Sequence, residues 1–226
     1  MQIKNINNYI EHTLLKPNAT KQEIKTLLDE AKEYSFKGVC VNPCHVAFSK
    51  DYLKGTSVNV VTVIGFPLGA NATVVKAFEA SQAVKDGADE IDMVINITEL
   101  KEKNYDFVKN DIKKVVKASL DKAVKVILET DLIAKEEIKK ACLICSEAGA
   151  KFVKTSTGFV KDGVGAKIED VKLMYETVKD LGLQVKASGG IRSAEDAQAM
   201  IKAGASRLGT SAGVKIMKGL KAESLY

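Results

Sequence analysis

Tryptophan is absent from the 226 residues, proline occurs 3 times, histidine twice, and arginine only at Arg192 and Arg207. So little proline, with 16 glycines and 46% hydrophobic residues, excludes collagen and low-complexity disorder. The scarcity of arginine argues against a nucleic-acid reader, which uses the guanidinium fork for bidentate contacts. The net charge of +5 comes instead from lysines interleaved with glutamates, as on solvated helix faces. No run of roughly 18 apolar residues is present to cross a bilayer. Residues Met1 to Asn8 lack the apolar core of a secretion signal. The expectation is a cytoplasmic protein that binds neither membrane nor nucleic acid.

Cysteine is also sparse. Cys142 and Cys145 have metal or redox spacing, and a zinc site joining them to Cys40 and Cys44 is conceivable. Yet Ile138, Ala141, Cys142, Cys145 and Ala148 share one helical face, so reduced, buried thiols are the expectation.

What is present is an alternation. Short apolar, β-branched runs occur at 38–41, 58–64, 90–95, 124–129, 152–155, 184–187 and 207–209, and a short eighth fits at 11–15. Between them lie stretches of 3.6-residue period, such as Val74, Phe78, Ser81 and Val84, or Ile168, Val171, Met174, Val178 and Leu181. Thr20 and Glu23 read as a capping box opening a helix to about Tyr34. Gly38, Gly87, Gly149, Gly182 and Gly204 stand where helices should end. Near-continuous apolar strands separated by helices imply a parallel sheet buried on both faces. Eight such units make a single-domain (β/α)8 barrel over residues 1–226. An open doubly wound sheet is the alternative, but no Gly-x-Gly-x-x-Gly turn follows an early strand.

In a barrel the chemistry belongs at the C-terminal ends of the strands. Three strands there carry a charge where packing would favour Val or Ile: Asp92, Lys154 and Lys186. Buried charges are costly unless paired or functional. Two ammonium groups roughly 6 Å apart repel by about 3 kcal/mol at an effective dielectric near 20, enough to make one of them partly neutral near pH 7. A neutral lysine attacks carbonyl carbon to form a Schiff base, and a nearby carboxylate can carry the protons. This chemistry needs no metal or cofactor. Glycine turns at Gly189–Gly190 and Gly209–Gly213 follow the seventh and eighth strands, where such barrels commonly bind phosphate. Thr157 and Gly158, after Lys154, add donors at the same mouth. The Phe66–Ala70 turn reads equally as a lid or a plain turn.

The segments Glu11-His-Thr-Leu-Leu-Lys-Pro, Val39-Cys-Val-Asn-Pro, Asp89-Glu-Ile-Asp-Met-Val, Lys154-Thr-Ser-Thr-Gly, Lys186-Ala-Ser-Gly-Gly-Ile-Arg and Arg207-Leu-Gly-Thr-Ser resemble the 2-deoxyribose-5-phosphate aldolase family of class I aldolases. The resemblance runs from residue 11 to about 217. It implies reversible cleavage of a phosphorylated deoxysugar to glyceraldehyde 3-phosphate and acetaldehyde in a dimer or tetramer. By the same resemblance Lys154 forms the Schiff base, Lys186 perturbs it and relays protons, and Asp92 is the acid/base partner. Cys40 and Lys125 would lie near substrate, and Gly189, Gly190, Gly209 and Ser211 would hold phosphate. Two departures stand out: Glu11 where the family usually has Asp, and Ala212 where a second Ser is common. A transaldolase-like enzyme, or a non-catalytic sugar-phosphate sensor, is the alternative reading.

Overall fold

The computed structural model describes residues 5–222; the outermost residues of the 1–226 span, Tyr226 among them, lie outside it. Eight parallel strands close into a barrel in chain order: β1 (Ile10–Leu14), β2 (Gly38–Val41), β3 (Asn59–Ile64), β4 (Glu90–Val94), β5 (Ala123–Ile127), β6 (Phe152–Lys154), β7 (Gln184–Ser188) and β8 (Ala205–Thr210). The helices that cover it include α1 (Lys21–Glu33), α2 (Val46–Tyr52), α3 (Thr73–Lys85), α4 (Ile97–Lys101), α5 (Tyr105–Ala118), α6 (Lys135–Glu147), α7 (Ile168–Val178), α8 (Ala194–Lys202) and α9 (Gly213–Met217). All eight expected strands are present, with no end displaced by more than two residues.

The main apolar core fills the space between strands and helices, where Val39, Val60, Ile91, Val126, Val153 and Leu208 are fully buried. A separate small cluster inside the barrel contains Leu15, Cys40, Val61 and Val63. Much of the rest of the barrel interior is charged, and this positions the site. The Thr20–Glu23 capping box forms as expected at α1. Cys142 and Cys145 pack into the core from α6, away from the barrel interior that holds Cys40, while Cys44 is exposed. The zinc reading therefore fails, and free thiols remain.

Two expectations are corrected. Gly38 does not end α1; Ser35 takes the left-handed turn (φ 51), and Gly38 begins β2, where a Cβ would meet the Asn59 carbonyl oxygen at 2.8 Å. On α3 the series Val74, Phe78 and Ser81 does not face the core. Val74 and Phe78 are 72% and 69% exposed, while Lys76, Ala80 and Ala83 are buried. Lys76 turns inward because α5 and β4 offer it Asp111 Oδ2 at 2.8 Å and the Val94 carbonyl at 3.0 Å. Removing one partner of so buried a pair would strand the other's charge, so helix periodicity yields to this ion pair.

Candidate active site

Alternation along each strand sends Glu11, Glu90, Asp92, Lys125, Lys154, Lys186 and Arg207 into the barrel. They form one ion network. Lys154 Nζ lies 2.7 Å from Asp92 Oδ2, and Lys186 Nζ lies 2.6 Å from the same oxygen. Lys125 Nζ takes the other oxygen at 2.9 Å and Glu90 at 2.6 Å. Glu11 accepts from Lys186 and, at 2.7 Å, from Arg207 Nη1, which also reaches Glu90 at 2.9 Å. Lys125 and Arg207 both stand over the Phe152 ring, at 5.7 and 5.2 Å from its centre. The register explains the assembly, since Asp92 pairs with Lys125, and Lys186 with both Lys154 and Arg207.

Four cations thus meet three carboxylates in a largely buried space. Lys125 touches three carboxylates, Lys186 and Arg207 two each, and Lys154 one. Burial alone would raise the Glu11 carboxyl, but the Lys125 and Lys186 ammonium groups outweigh it and hold it at about 2. Burial is outweighed likewise at Asp92, which Lys125, Lys154 and Lys186 keep well below the carboxylate range. At Lys186 and Lys125 burial opposes the charge, yet Asp92 and Glu11 hold both cations above the ordinary lysine value. Burial pushes the Cys40 thiol up to about 11.

Depressed carboxylates stabilise the fold above their ordinary range and lose that contribution as pH falls; raised lysines lose theirs only above about pH 10.4. Stability should therefore be level from about pH 5 to 8, above which the buried Cys40, Cys142 and Cys145 thiols, raised by burial, cost stability as the unfolded chain ionises. Glu129, raised by burial, has the opposite sign and reduces this gain slightly. Urea midpoints should show a loss of about 3 kcal/mol from Glu11 between pH 5 and 2. A midpoint unchanged down to pH 2.5 would contradict it.

Above the network opens a cavity lined by Thr13, Lys154, Thr157, Gly158, Ser188, Gly189, Gly190, Gly209, Thr210 and Ser211. The expected site residues on the loops after β6, β7 and β8 therefore converge at one mouth. Thr210 Oγ1 joins two of these loops, donating to the Ile191 carbonyl at 2.8 Å and accepting from the Ala212 N–H at 2.9 Å. Neither Cys40 nor Lys125 lines the cavity: Cys40 belongs to the apolar cluster, and Lys125 lies beneath Asp92. The Phe66 turn packs its ring edge-on against Phe159, 5.1 Å between centres.

Sequence reasoning passed over four contributors. Glu90 and Arg207 sit two residues from Asp92 and Gly209, so strand parity already aimed them inward. Glu11 stands out in the sequence only as a departure from the family pattern, yet it binds Lys186 directly. The apolar run 124–129 places Glu129 in a strand, whereas it lies beyond β5 at φ 57 and accepts from the Thr157 N–H and hydroxyl. No sequence pattern marks that turn.

The sequence matches the family model described as DeoC/LacD family aldolase over residues 8–219. It is 60% identical to the deoxyribose-phosphate aldolase of Staphylococcus carnosus, covering 96% of this chain and 98% of that protein. Identity to the deoxyribose-phosphate aldolase of Clostridium novyi is 57%, covering 97% and 98%. Among solved structures, the deoxyribose phosphate aldolase of Aeropyrum pernix, whose structure is described as tetrameric, superposes with a TM-score of 0.87 at 34% identity, over 94% of this chain and 89% of that one.

Proposed function

Because the chain belongs to the DeoC/LacD family of aldolases, we propose how its barrel mouth performs the work of a deoxyribose-phosphate aldolase, the reversible cleavage of 2-deoxy-D-ribose 5-phosphate to D-glyceraldehyde 3-phosphate and acetaldehyde. One observation carries the assignment of the nucleophile. Of the three lysines in the buried network, Lys154 alone lines the cavity, and it is the one held by a single carboxylate.

The free amine of Lys154 adds to the aldehyde carbon C1, and water leaves to give an iminium. The 3-hydroxyl gives up its proton to solvent, the C2–C3 bond breaks, and its electron pair flows into the iminium to form an enamine. Glyceraldehyde 3-phosphate departs. Protonation at C2 and hydrolysis then release acetaldehyde and free Lys154. Asp92, kept ionised by its ammonium neighbours, pairs with each successive cation on that nitrogen and passes protons during dehydration. Lys186, fixed between Glu11 and Asp92, remains a cation throughout. Loops 189–190 and 209–211 receive the phosphate, so its binding orients C1 against Lys154.

Incubation with acetaldehyde, borohydride reduction and peptide mass spectrometry should find one reduced two-carbon group, on Lys154. Modification of Lys186 with Lys154 untouched would reverse the two roles.

Free thiols and the absence, among the described residues, of a helix able to cross a membrane support a cytoplasmic enzyme. Val74 and Phe78 on α3, and Leu68 in the loop before it, are each at least 69% exposed, which supports self-association through this part of the surface into a dimer or tetramer. Val74→Glu/Phe78→Glu should lower the mass found by light scattering; an unchanged mass moves the contact elsewhere.

A further inference from the structure

Two buried charges have no part in the chemistry above. Arg207 and Glu90 lie at the opposite end of the barrel interior from the cavity and touch neither Lys154 nor the cavity wall. Arg207 is bound at 2.7 Å to Glu11 and 2.9 Å to Glu90, and its guanidinium lies over Phe152. Glu90 in turn is 2.6 Å from Lys125. Chains of contacts therefore run from Arg207 through Glu11 to Lys186, and through Glu90 to Lys125, and both end on Asp92, the carboxylate that holds Lys154.

The charge count gives this arrangement a purpose. With Arg207 included, the network holds one cation more than it has carboxylates. Loss of the Lys154 proton leaves it balanced at three and three. Without Arg207, the balanced state is the one with Lys154 protonated, and attack on an aldehyde would leave a buried excess of negative charge. The groups facing Lys154 are Glu11 from β1, Cys40 from β2, Glu90 and Asp92 from β4, Lys125 from β5, Glu129 at the mouth, Lys186 from β7 and Arg207 from β8. β3 supplies Val61 and Val63, with Asn59 donating to Glu90 at 3.4 Å.

We propose that Arg207, paired with Glu90 at the floor of the barrel, is a positioning residue for the reaction: its buried positive charge makes the neutral amine of Lys154 accessible at physiological pH. This rests on the Schiff-base reading of Lys154.

The test uses opposite charge changes in the full-length protein. Rates of borohydride-trapped adduct formation with acetaldehyde are measured against pH for wild type, Arg207→Met, Arg207→Lys and Glu90→Gln. Arg207→Met should move the acidic limb to higher pH by about one unit. Arg207→Lys should restore the limb, and Glu90→Gln should move it to lower pH. A merely structural role would slow trapping without displacing the limb, or would displace both variants the same way; either result overturns the proposal. If Arg207→Met does not fold, Glu90→Gln decides alone: an acid shift supports the proposal, and an unmoved limb ends it. Absence of any wild-type adduct on Lys154 would instead overturn the Schiff-base reading, so the two failures are distinguishable.

Discussion

Replacing Lys186 by leucine is expected to lower kcat/KM at pH 7 by at least about 100-fold and to move the acidic limb of the pH profile upward by about two units. Lys186 and Lys154 donate to the same oxygen of Asp92, at 2.6 and 2.7 Å, so their nitrogens cannot be farther apart than those two bonds laid end to end. Charges that close interact by about 3 kcal/mol at an effective dielectric of 20, which is about two pH units. With leucine in place the buried network holds three cations and three carboxylates while Lys154 is still protonated, so the reactive amine becomes the unbalanced state. A second variant separates this from simple damage. Lys186→Leu combined with Glu11→Gln restores the excess of one cation, and it should bring the limb back toward wild type. Loss of activity with an unshifted limb in the single variant, or no recovery in the double, would refute the charge-balance account. Circular dichroism and thermal melts check that both variants fold.

The two lysines could be read from the sequence because each interrupts a short apolar strand, and a charge there has few structural explanations. What could not be read was their environment. A repulsive lysine pair was expected to carry the effect alone, whereas the structure interposes Asp92 and surrounds it with Glu11, Glu90, Lys125 and Arg207. The sequence shows each strand's inward parity but not the stagger between strands, and the stagger decides that Lys186 stands beside Arg207 in β8 and Lys154 in β6. The same limit explains α3. Its apolar residues at 74 and 78 look like a core stripe, and only the position of Asp111 on a distant helix reveals that Lys76 is the buried one. Local signals, such as the Thr20 capping box and the glycines at 87, 149, 182 and 204, were legible because their causes lie within a few residues.

Introducing a carboxylate at Ser211 is expected to separate phosphorylated from unphosphorylated substrate. Any side chain at Gly190, as in Gly190→Val, is expected at first sight to block the anion. The structure changes that expectation. Gly190 has φ 75, and a Cβ would come within 2.5 Å of the Val164 carbonyl oxygen. Valine would thus distort the 160–166 loop and harm every substrate alike. Ser211 is exposed and shares the cavity wall with Gly189, Gly190 and Gly209, so aspartate adds charge at the mouth without entering packed backbone. Repulsion between this carboxylate and a bound phosphate, partly screened by solvent, should reach about 2 kcal/mol. That predicts a fall of about 30-fold in kcat/KM for 2-deoxyribose 5-phosphate. For unphosphorylated 2-deoxyribose, which brings no anion to the cavity, the change should stay within about 3-fold. The difference should shrink as salt is raised, because the mouth is open to counterions. Equal losses for the two sugars, or a difference indifferent to salt, would mean that the phosphate binds outside the 189–190 and 209–211 loops.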